Sequence, residues 1–314
     1  MNHKVKSSGT AEPARPAVER ALDLISADRL AALRQRRDGP GLVRLAGHLG
    51  VLAAAGAVVL AASHWTLWLA ASLVYGTALV FLFTFEHETV HQSAFASDWI
   101  NRLAASLTGI VVVVPARWFR YFHFAHHRHT QDAARDPELA TPKPAGWLAY
   151  LVYLTALPYW AATARTIATM AAGKIDADYV PPARRAVIVR EARLHIGIYL
   201  AVAAISLAAG SLVAVKLWLV PLLLGQPVLR AYLLAEHGAC PPVADMLDNS
   251  RTTFAGRVVN FIAWNMPHHT AHHAFPTVPF HRLPEVTALI RSRIAVTAHS
   301  YPQAHRQIRA GWGA

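Results

Sequence analysis

The side chains best suited to chemistry in this sequence are histidines that occur in three short clusters. The clusters read HETVH, HFAHH and HTAHH. On an α-helix, side chains three or four positions apart lie on one face, with their Cβ atoms about 5–6 Å apart, so each cluster would present its imidazoles together. The eight imidazoles are those of His87, His91, His123, His126, His127, His269, His272 and His273.

A set of imidazoles this large points to a metal site. One tetrahedral zinc ion takes three or four protein ligands, so eight histidines, with His237 as a ninth candidate, suit two metal ions. Imidazole binds zinc, copper, iron and nickel, and the spacing therefore leaves the metal open. The single cysteine, Cys240, excludes an intrachain disulfide framework, a thiolate zinc site and an iron–sulfur cluster held by this chain alone.

Three residues beside the clusters are weaker candidates. His129 and His268 adjoin clusters but break the spacing of three or four, so we expect them to support a ligand or to have no role at the metal. Asn265 precedes the third cluster, and we expect it either to support a ligand or to cap the helix that carries the cluster.

The elements that must position these histidines belong to a membrane protein. Of 314 residues, 54% are hydrophobic and only 15% are charged, whereas a soluble domain is about 25% charged. Four apolar segments are long enough to cross a bilayer, and their short connections pair them as two helical hairpins. These predicted spans are residues 45–63, 65–85, 195–214 and 217–235. Two further apolar segments, 103–115 and 147–163, are predicted not to cross, the second as an interfacial or re-entrant helix.

The basic residues predict the orientation. With four crossings, every Lys and Arg except Lys216 and Arg230 falls on one side of the membrane, which the positive-inside rule assigns to the cytosol. We therefore expect a multi-pass protein of the inner or plasma membrane with both termini in the cytosol. The predicted fold is an all-α integral membrane protein with four transmembrane helices in two hairpins and a cytosolic helical cap that holds a His-rich di-metal site.

The predicted membrane domain, residues 41–295, has a tail at either end. Residues 1–40 are predicted to form a cytosolic N-terminal tail, disordered over 1–16, with 17–36 as an amphipathic surface helix or a short solvated helix. Residues 296–314 are predicted to form a C-terminal tail.

Arg230 is a charged residue inside the fourth predicted span. It lies seven residues before His237, on the same helix face. Intramembrane charges usually face a cavity or a partner. We expect Arg230 either to pair with a substrate carboxylate or head group, or to snorkel or bind a protein carbonyl.

The three clusters and the spans between them resemble the membrane-bound fatty acid desaturase and hydroxylase superfamily. The resemblance covers residues 43–290 and includes the run from Asn265 to Pro284, which is similar to the third histidine box of bacterial members. It implies that the eight box histidines and His237 bind two iron ions. Some relatives carry an Asn one turn before that last histidine, where this chain has Leu233.

The same resemblance implies the reaction. Two ferrous ions with O2 as co-substrate would remove hydrogen from an unactivated C–H bond of a lipid or fatty acyl substrate. A second hydrogen abstraction gives an alkene, as in fatty acyl desaturation, which is the commonest outcome in the family. Hydroxylation and carotenoid ketolation or hydroxylation stay open. The electrons would come from an external donor such as ferredoxin.

Two other functions fit parts of the sequence. HETVH also matches the His-Glu-x-x-His zinc motif, with Glu88 as general base of an intramembrane protease, but that leaves six box histidines without a role. A His-rich metal transporter would bind its ion near the bilayer midplane rather than at one membrane edge. The net charge of +12 follows the membrane orientation and would attract an acidic electron donor or anionic lipid, so no nucleic-acid partner is expected.

Overall fold

The computed structural model describes residues 21–313. The fold of this part is helical, with one pair of short parallel strands, β1 (Arg251–Thr253) and β2 (Val296–Ala298). The helices are α1 (Ala27–Leu33), α2 (Asp38–Ala61), α3 (Trp65–Val80), α4 (Leu82–Val90), α5 (Asp98–Val112), α6 (Ala116–His129), α7 (Trp147–Leu154), α8 (Leu157–Ala171), α9 (Pro182–Ala208), α10 (Val220–His237), α11 (Arg257–Ile262), α12 (His269–Ala274), α13 (Leu283–Ile290) and α14 (Tyr301–Ala310).

Four helical segments of the described chain are long and apolar enough to cross a membrane. They are α2, the α3–α4 segment Trp65–Val90, α9, and α10 with the π-helical turn before it, Val215–His237. The predictions of an all-helical fold and of four spans are therefore confirmed. The bounds differ from the predicted ones: the first and third spans begin earlier, at Asp38 and Pro182, and the second and fourth end later, at Val90 and His237.

The second and fourth spans pack against each other through glycines. A Cβ atom at Gly76 would overlap the backbone of Pro221, and one at Gly225 would overlap the backbone of Gly76. Small residues allow this close approach between helices in a membrane, where packing rather than the hydrophobic effect drives association. The third span, α9, lies outside this pair and packs mainly on α8 and α6.

A sharp bend follows the apolar segment 103–115. Helix α5 ends at Val112, Val113 has a left-handed backbone, and α6 begins after Pro115 at 97° to α5. The last carbonyls of α5 would lack partners at this break. Two side chains of the third and fourth spans supply them: the Tyr199 hydroxyl donates to Ile110 O at 3.1 Å and the Trp218 indole donates to Val111 O at 2.7 Å. The bend returns the second histidine cluster toward the first.

The apolar segment 147–163 forms two helices rather than one. Ala156, with a left-handed backbone, separates α7 from α8. Both helices keep large apolar side chains exposed, among them Leu148 and Leu157, and α7 also packs on α10. Exposed apolar surface on short helices is typical of an element that lies in the membrane interface.

The chain ends are tied to the bundle where they are described. Residues 296–310, predicted as part of a C-terminal tail, contain β2 and α14, and α14 packs on α10. At the other end, α1 falls within the predicted helix 17–36 and buries Leu30 and Leu33. Residues 1–20, including the segment predicted to be disordered, lie outside the described residues.

Candidate metal centre

Four helices bring the nine predicted ligands together. Helix α4 carries His87 and is followed directly by His91; α6 carries the second cluster, α10 ends on His237, and α12 carries the third cluster. All nine side chains are buried or half-buried. Two groups of nitrogen atoms result, each with its members within 4.8 Å of one another. The first group is His87, His91, His123, His127 and His272, and the second is His126, His237 and His273.

The imidazoles of each group direct their Nε2 atoms toward one another. In the first group, His87 Nε2 lies 2.7 Å from His272 Nε2, and His272 Nε2 lies 3.1 Å from His127 Nε2. In the second group, His237 Nε2 lies 3.1 Å from His126 Nε2 and 2.9 Å from His269 Nε2. These contacts place His269, which belongs to neither group of nitrogen atoms, beside the second group.

Hydrogen bonds between the imidazoles cannot provide every converging nitrogen atom with a partner. A proton on one Nε2 can serve only one neighbour, so several converging nitrogens leave lone pairs without a donor. Two buried nitrogens, His91 Nε2 and His273 Nε2, have no hydrogen-bond partner in the described structure. Buried polar atoms are rarely left unpaired, and nitrogen atoms that converge on one point are what a metal ion needs. The donor set therefore fits two metal ions.

The surroundings keep the cluster imidazoles neutral. Burial, followed by repulsion from neighbouring imidazoles, holds the pKa of His91, His123 and His127 well below the ordinary value. The same causes lower the pKa of His269, His272 and His273. A metal ion binds the neutral imidazole, so ligands that do not take up a proton are prepared for metal binding.

A carboxylate orients His126. Burial opposes charge on this imidazole, but the charges of Glu138 and Asp136 and the hydrogen bond that it donates to Asp136 raise its pKa above the ordinary value. The Nδ1–H donates to Asp136 Oδ1 at 2.9 Å, and Asp136 Oδ2 accepts the backbone N–H of Gln131. A carboxylate on Nδ1 leaves Nε2 free for a metal and fixes the ring plane.

Other ligands have similar support on the nitrogen that faces away from the centre. His237 Nδ1 donates to the carbonyl oxygen of Asn249 at 3.1 Å. Thr130 Oγ1 lies 3.3 Å from His273 Nδ1. Each of these two contacts sets the orientation of a ring whose other nitrogen points into the metal site. Glu236 Oε1 lies 3.5 Å from His269 Nδ1, but no hydrogen bond joins the two atoms.

Arg251 holds the end of the helix that carries His237. Its side chain is 1% exposed, and its guanidinium donates to Ala235 O at 2.5 Å and to Gly238 O at 2.7 Å. The last carbonyls of a helix have no partner within the helix, and a cation there also interacts favourably with the helix dipole. Arg251 thus positions His237 from behind.

Sequence reasoning missed these supporting residues. Ligand histidines commonly carry a carboxylate or carbonyl on the second nitrogen. With only 18 acidic residues in the chain, an acid that follows or precedes a cluster closely, such as Asp136 or Glu236, was a recognisable candidate. Arg251 and Asn249 carry no such signal, because their partners lie on other elements.

The weaker candidates lie apart from the two groups. His129 lines a surface cavity of about 350 Å³ together with Arg128 and Arg135. The His268 imidazole contacts Thr287 Oγ1 at 2.9 Å, and the Asn265 side-chain amide donates to Phe280 O at 3.0 Å. Asn265 does not cap α12, because His268 occupies the N-cap position.

Glu88 lies behind a ligand rather than in the space between the imidazoles. Its carboxylate accepts from the Ser93 hydroxyl at 2.8 Å and from the Phe280 N–H at 3.2 Å, and Oε1 lies 4.0 Å from His272 Nδ1. A general base in a zinc protease would instead face a metal-bound water. This placement gives Glu88 a supporting role.

Leu233 and Arg230 both lie on α10 before His237. Leu233 is half-buried and packs against the main apolar cluster, so it offers no polar contact to the centre. Arg230 is also half-buried, and its guanidinium carbon lies 4.2 Å from the ring centroid of Tyr159.

Two comparisons with known proteins match this chain. The family model described as "Fatty acid desaturase" matches residues 63–307. A curated protein, the sn-1 oleoyl-lipid 12-desaturase of Picosynechococcus sp., is 31% identical over 94 residues. That alignment covers 28% of this chain and 27% of the relative, so it spans about a quarter of the relative's length.

Proposed function

Because the chain belongs to the fatty acid desaturase family, we propose that it is a membrane oxidoreductase that uses O2 and two iron ions to desaturate a fatty acyl chain. The ligands would be the eight box histidines and His237. The observation that carries this proposal is the convergence of Nε2 atoms from four helices on two adjacent points. The two groups adjoin, because the ring centroids of His127 and His273 lie 4.1 Å apart, and two adjacent metal ions would suit chemistry on one O2 molecule.

Iron bound by these imidazoles would supply the O2-dependent oxidation of an unactivated C–H bond. The chain's own residues hold the ligands and exclude water. Asp136 and the Asn249 carbonyl keep two ligand rings in one orientation, and the buried positions of His87 and His272 keep solvent away from the reacting atoms. In the overall reaction, two hydrogens leave neighbouring carbons, a C=C bond forms, and O2 becomes two waters.

This balance requires two electrons and two protons from outside the substrate. We propose an external one-electron donor, ferredoxin or a similar protein, that acts at the cytosolic face. The positive-inside distribution of Lys and Arg puts most basic residues on that face, where an acidic donor would be attracted. Both termini would lie in the cytosol, with the protein in the inner or plasma membrane.

Metal analysis of the purified full chain tests the proposal. We expect about two iron ions per chain, and a lower iron content for His91→Ala and for His126→Ala, which remove one predicted ligand from each group. His129→Ala, which alters a histidine outside both groups, should keep the wild-type iron content. One zinc ion per chain would contradict the proposal.

Lipid analysis of a host that expresses the protein tests the reaction. We expect a new monounsaturated acyl chain with wild type and with His129→Ala, and none with His126→Ala. A hydroxylated lipid in place of the alkene would assign the hydroxylase reaction of the same superfamily. No change in the lipids of a host that supplies iron and a reduced ferredoxin would refute the desaturase proposal.

A further inference from the structure

Arg230 places a positive charge inside a membrane-spanning segment. It lies on α10, seven residues before His237. Seven residues are about two helical turns, so the two side chains share a face and lie about 10 Å apart along the axis. A charge at this depth is costly unless it faces a cavity or binds a partner.

The two interfacial helices α7 and α8 line the guanidinium with aromatic rings. The Arg230 guanidinium carbon lies 4.2 Å from the ring centroid of Tyr159, and Tyr153 on α7 lies near enough for the Arg230 charge to act on the pKa of its phenol. The Arg230 Nε atom is buried and has no partner among the described residues. The aromatic faces attract the cation, but a ring stacked on the guanidinium cannot accept hydrogen bonds from the N–H groups, which lie in the guanidinium plane.

No carboxylate among the described residues forms an ion pair with this guanidinium. Within residues 21–313, no carboxylate oxygen lies within the 4.0 Å ion-pair distance of the Arg230 guanidinium. Glu236 lies on the same helix, but its Oε1 is 3.5 Å from His269 Nδ1. Burial raises the pKa of both Tyr153 and Tyr159 despite the nearby Arg230, so both phenols stay neutral. The guanidinium therefore has no ion-pair partner among the described residues, and its Nε donor is unpaired.

We propose that Arg230 binds the anionic head group of the lipid substrate. A carboxylate or a phosphate presents two oxygens that match the planar fork of a guanidinium. Tyr153 and Tyr159 would flank the bound head group, and the acyl chain would extend toward the metal centre. The assignment rests on the proposed function, because it names the substrate class of that site.

Ligand binding by the full chain in phosphatidylcholine nanodiscs tests the proposal. One arm compares radiolabelled palmitate with methyl palmitate, which lacks the negative charge. A second arm uses native mass spectrometry to measure retained phosphatidylglycerol. The variants are Arg230→Gln, which removes the charge, and Arg230→Lys, which keeps the charge but not the fork. Arg165→Gln, an exposed arginine on α8, is the matched control.

We expect at least one of the two anionic lipids to bind about tenfold or more weakly to Arg230→Gln, which is the loss expected for a charge-assisted hydrogen bond. Arg230→Lys should fall between, and Arg165→Gln should match wild type. Loss in the palmitate arm identifies a carboxylate, with methyl palmitate bound poorly by wild type. Loss in the phosphatidylglycerol arm identifies a phosphate.

Unchanged binding of both anionic lipids by Arg230→Gln would overturn the proposal. If that variant does not fold, two other results together overturn the proposal. Wild type would bind palmitate and methyl palmitate equally, and Arg230→Lys would retain as much phosphatidylglycerol as wild type. Iron measured on the same samples separates the two proposals. If the chain binds two iron ions but lipid binding does not depend on Arg230, the head-group assignment alone is refuted. If lipid binding depends on Arg230 but the chain takes up no iron, the di-iron proposal alone is refuted.

Discussion

Replacing Asp136 with Asn should weaken metal binding at one of the two groups of imidazoles and leave the other group unchanged. The Asp136 carboxylate accepts three hydrogen bonds: from His126 Nδ1 at 2.9 Å, from the Glu138 N–H at 3.0 Å and from the Gln131 N–H at 2.9 Å. Asparagine keeps the shape of the side chain, but it has one acceptor oxygen and no charge. At least one of the three donors therefore loses its partner.

The expected cost follows from these contacts. The charge-assisted bond to His126 becomes a neutral one of about half the strength, or is lost if the amide nitrogen turns toward the imidazole. A buried donor left without a partner costs about 1–3 kcal/mol. Loss of an outer partner of a metal ligand typically weakens metal affinity by about 10–100-fold, which agrees with this range. The loss should fall on the group that contains His126, His237 and His273.

Chelator titration with iron analysis measures the effect. Wild type should release its two iron ions over one range of chelator concentration. Asp136→Asn should release one iron ion at a chelator concentration about 10–100-fold lower and hold the other as wild type does. Asp132→Asn is the matched control, because Asp132 lies in the same loop and pairs with the exposed Arg135 instead of a ligand. Equal weakening of both ions, or none, would refute the reasoning.

Three further substitutions test how the fold supports the centre. Arg251→Met leaves two helix-end carbonyls unpaired, at a cost of about 1–3 kcal/mol each, so the iron content should fall. The control Arg257→Met changes an exposed site and should have no effect. An unchanged iron content in Arg251→Met would contradict the positioning role. Gly76→Val should lower the melting temperature in detergent by about 5 °C or more, because the added side chain meets the backbone of another helix. A Cβ atom at Gly197 meets nothing within 4 Å, so Gly197→Val should change the melting temperature little. Equal shifts in the two variants would argue against glycine packing. Trp218→Phe removes one hydrogen bond to the end of α5, so protease cleavage near residue 113 should become faster, and an unchanged rate would argue against that support.

The local features of the centre could be predicted from the sequence. Spacing by three or four places imidazoles on one helix face, so the cluster residues His87 and His91, or His123 and His127, were predicted to act together. The sequence could not predict which imidazoles from different helices share a group. His126 lies between His123 and His127 in sequence but joins His237 and His273, because membership depends on which helix lies opposite.

The supporting residues show the same limit. Asp136 is close to its ligand in sequence and could have been found, whereas Arg251 contacts the end of α10 from a strand. Helices α7 and α8 were predicted as one interfacial or re-entrant segment, since hydropathy reports apolar composition but not the left-handed backbone at Ala156 that divides it. Likewise, no local pattern indicated that Gly76 and Gly225 would meet.

The sequence by itself determined the four spans, the family and the set of nine candidate ligands. Hydropathy and helical periodicity are properties of residues that are close in the sequence, so both are visible without the fold. Only the tertiary structure decided how eight of the nine imidazoles divide into two groups, which carboxylate and carbonyl orient them, and that Arg230 lies beside Tyr159 without an ion-pair partner among the described residues. These outcomes depend on contacts between segments far apart in the chain, where packing decides which side chains meet.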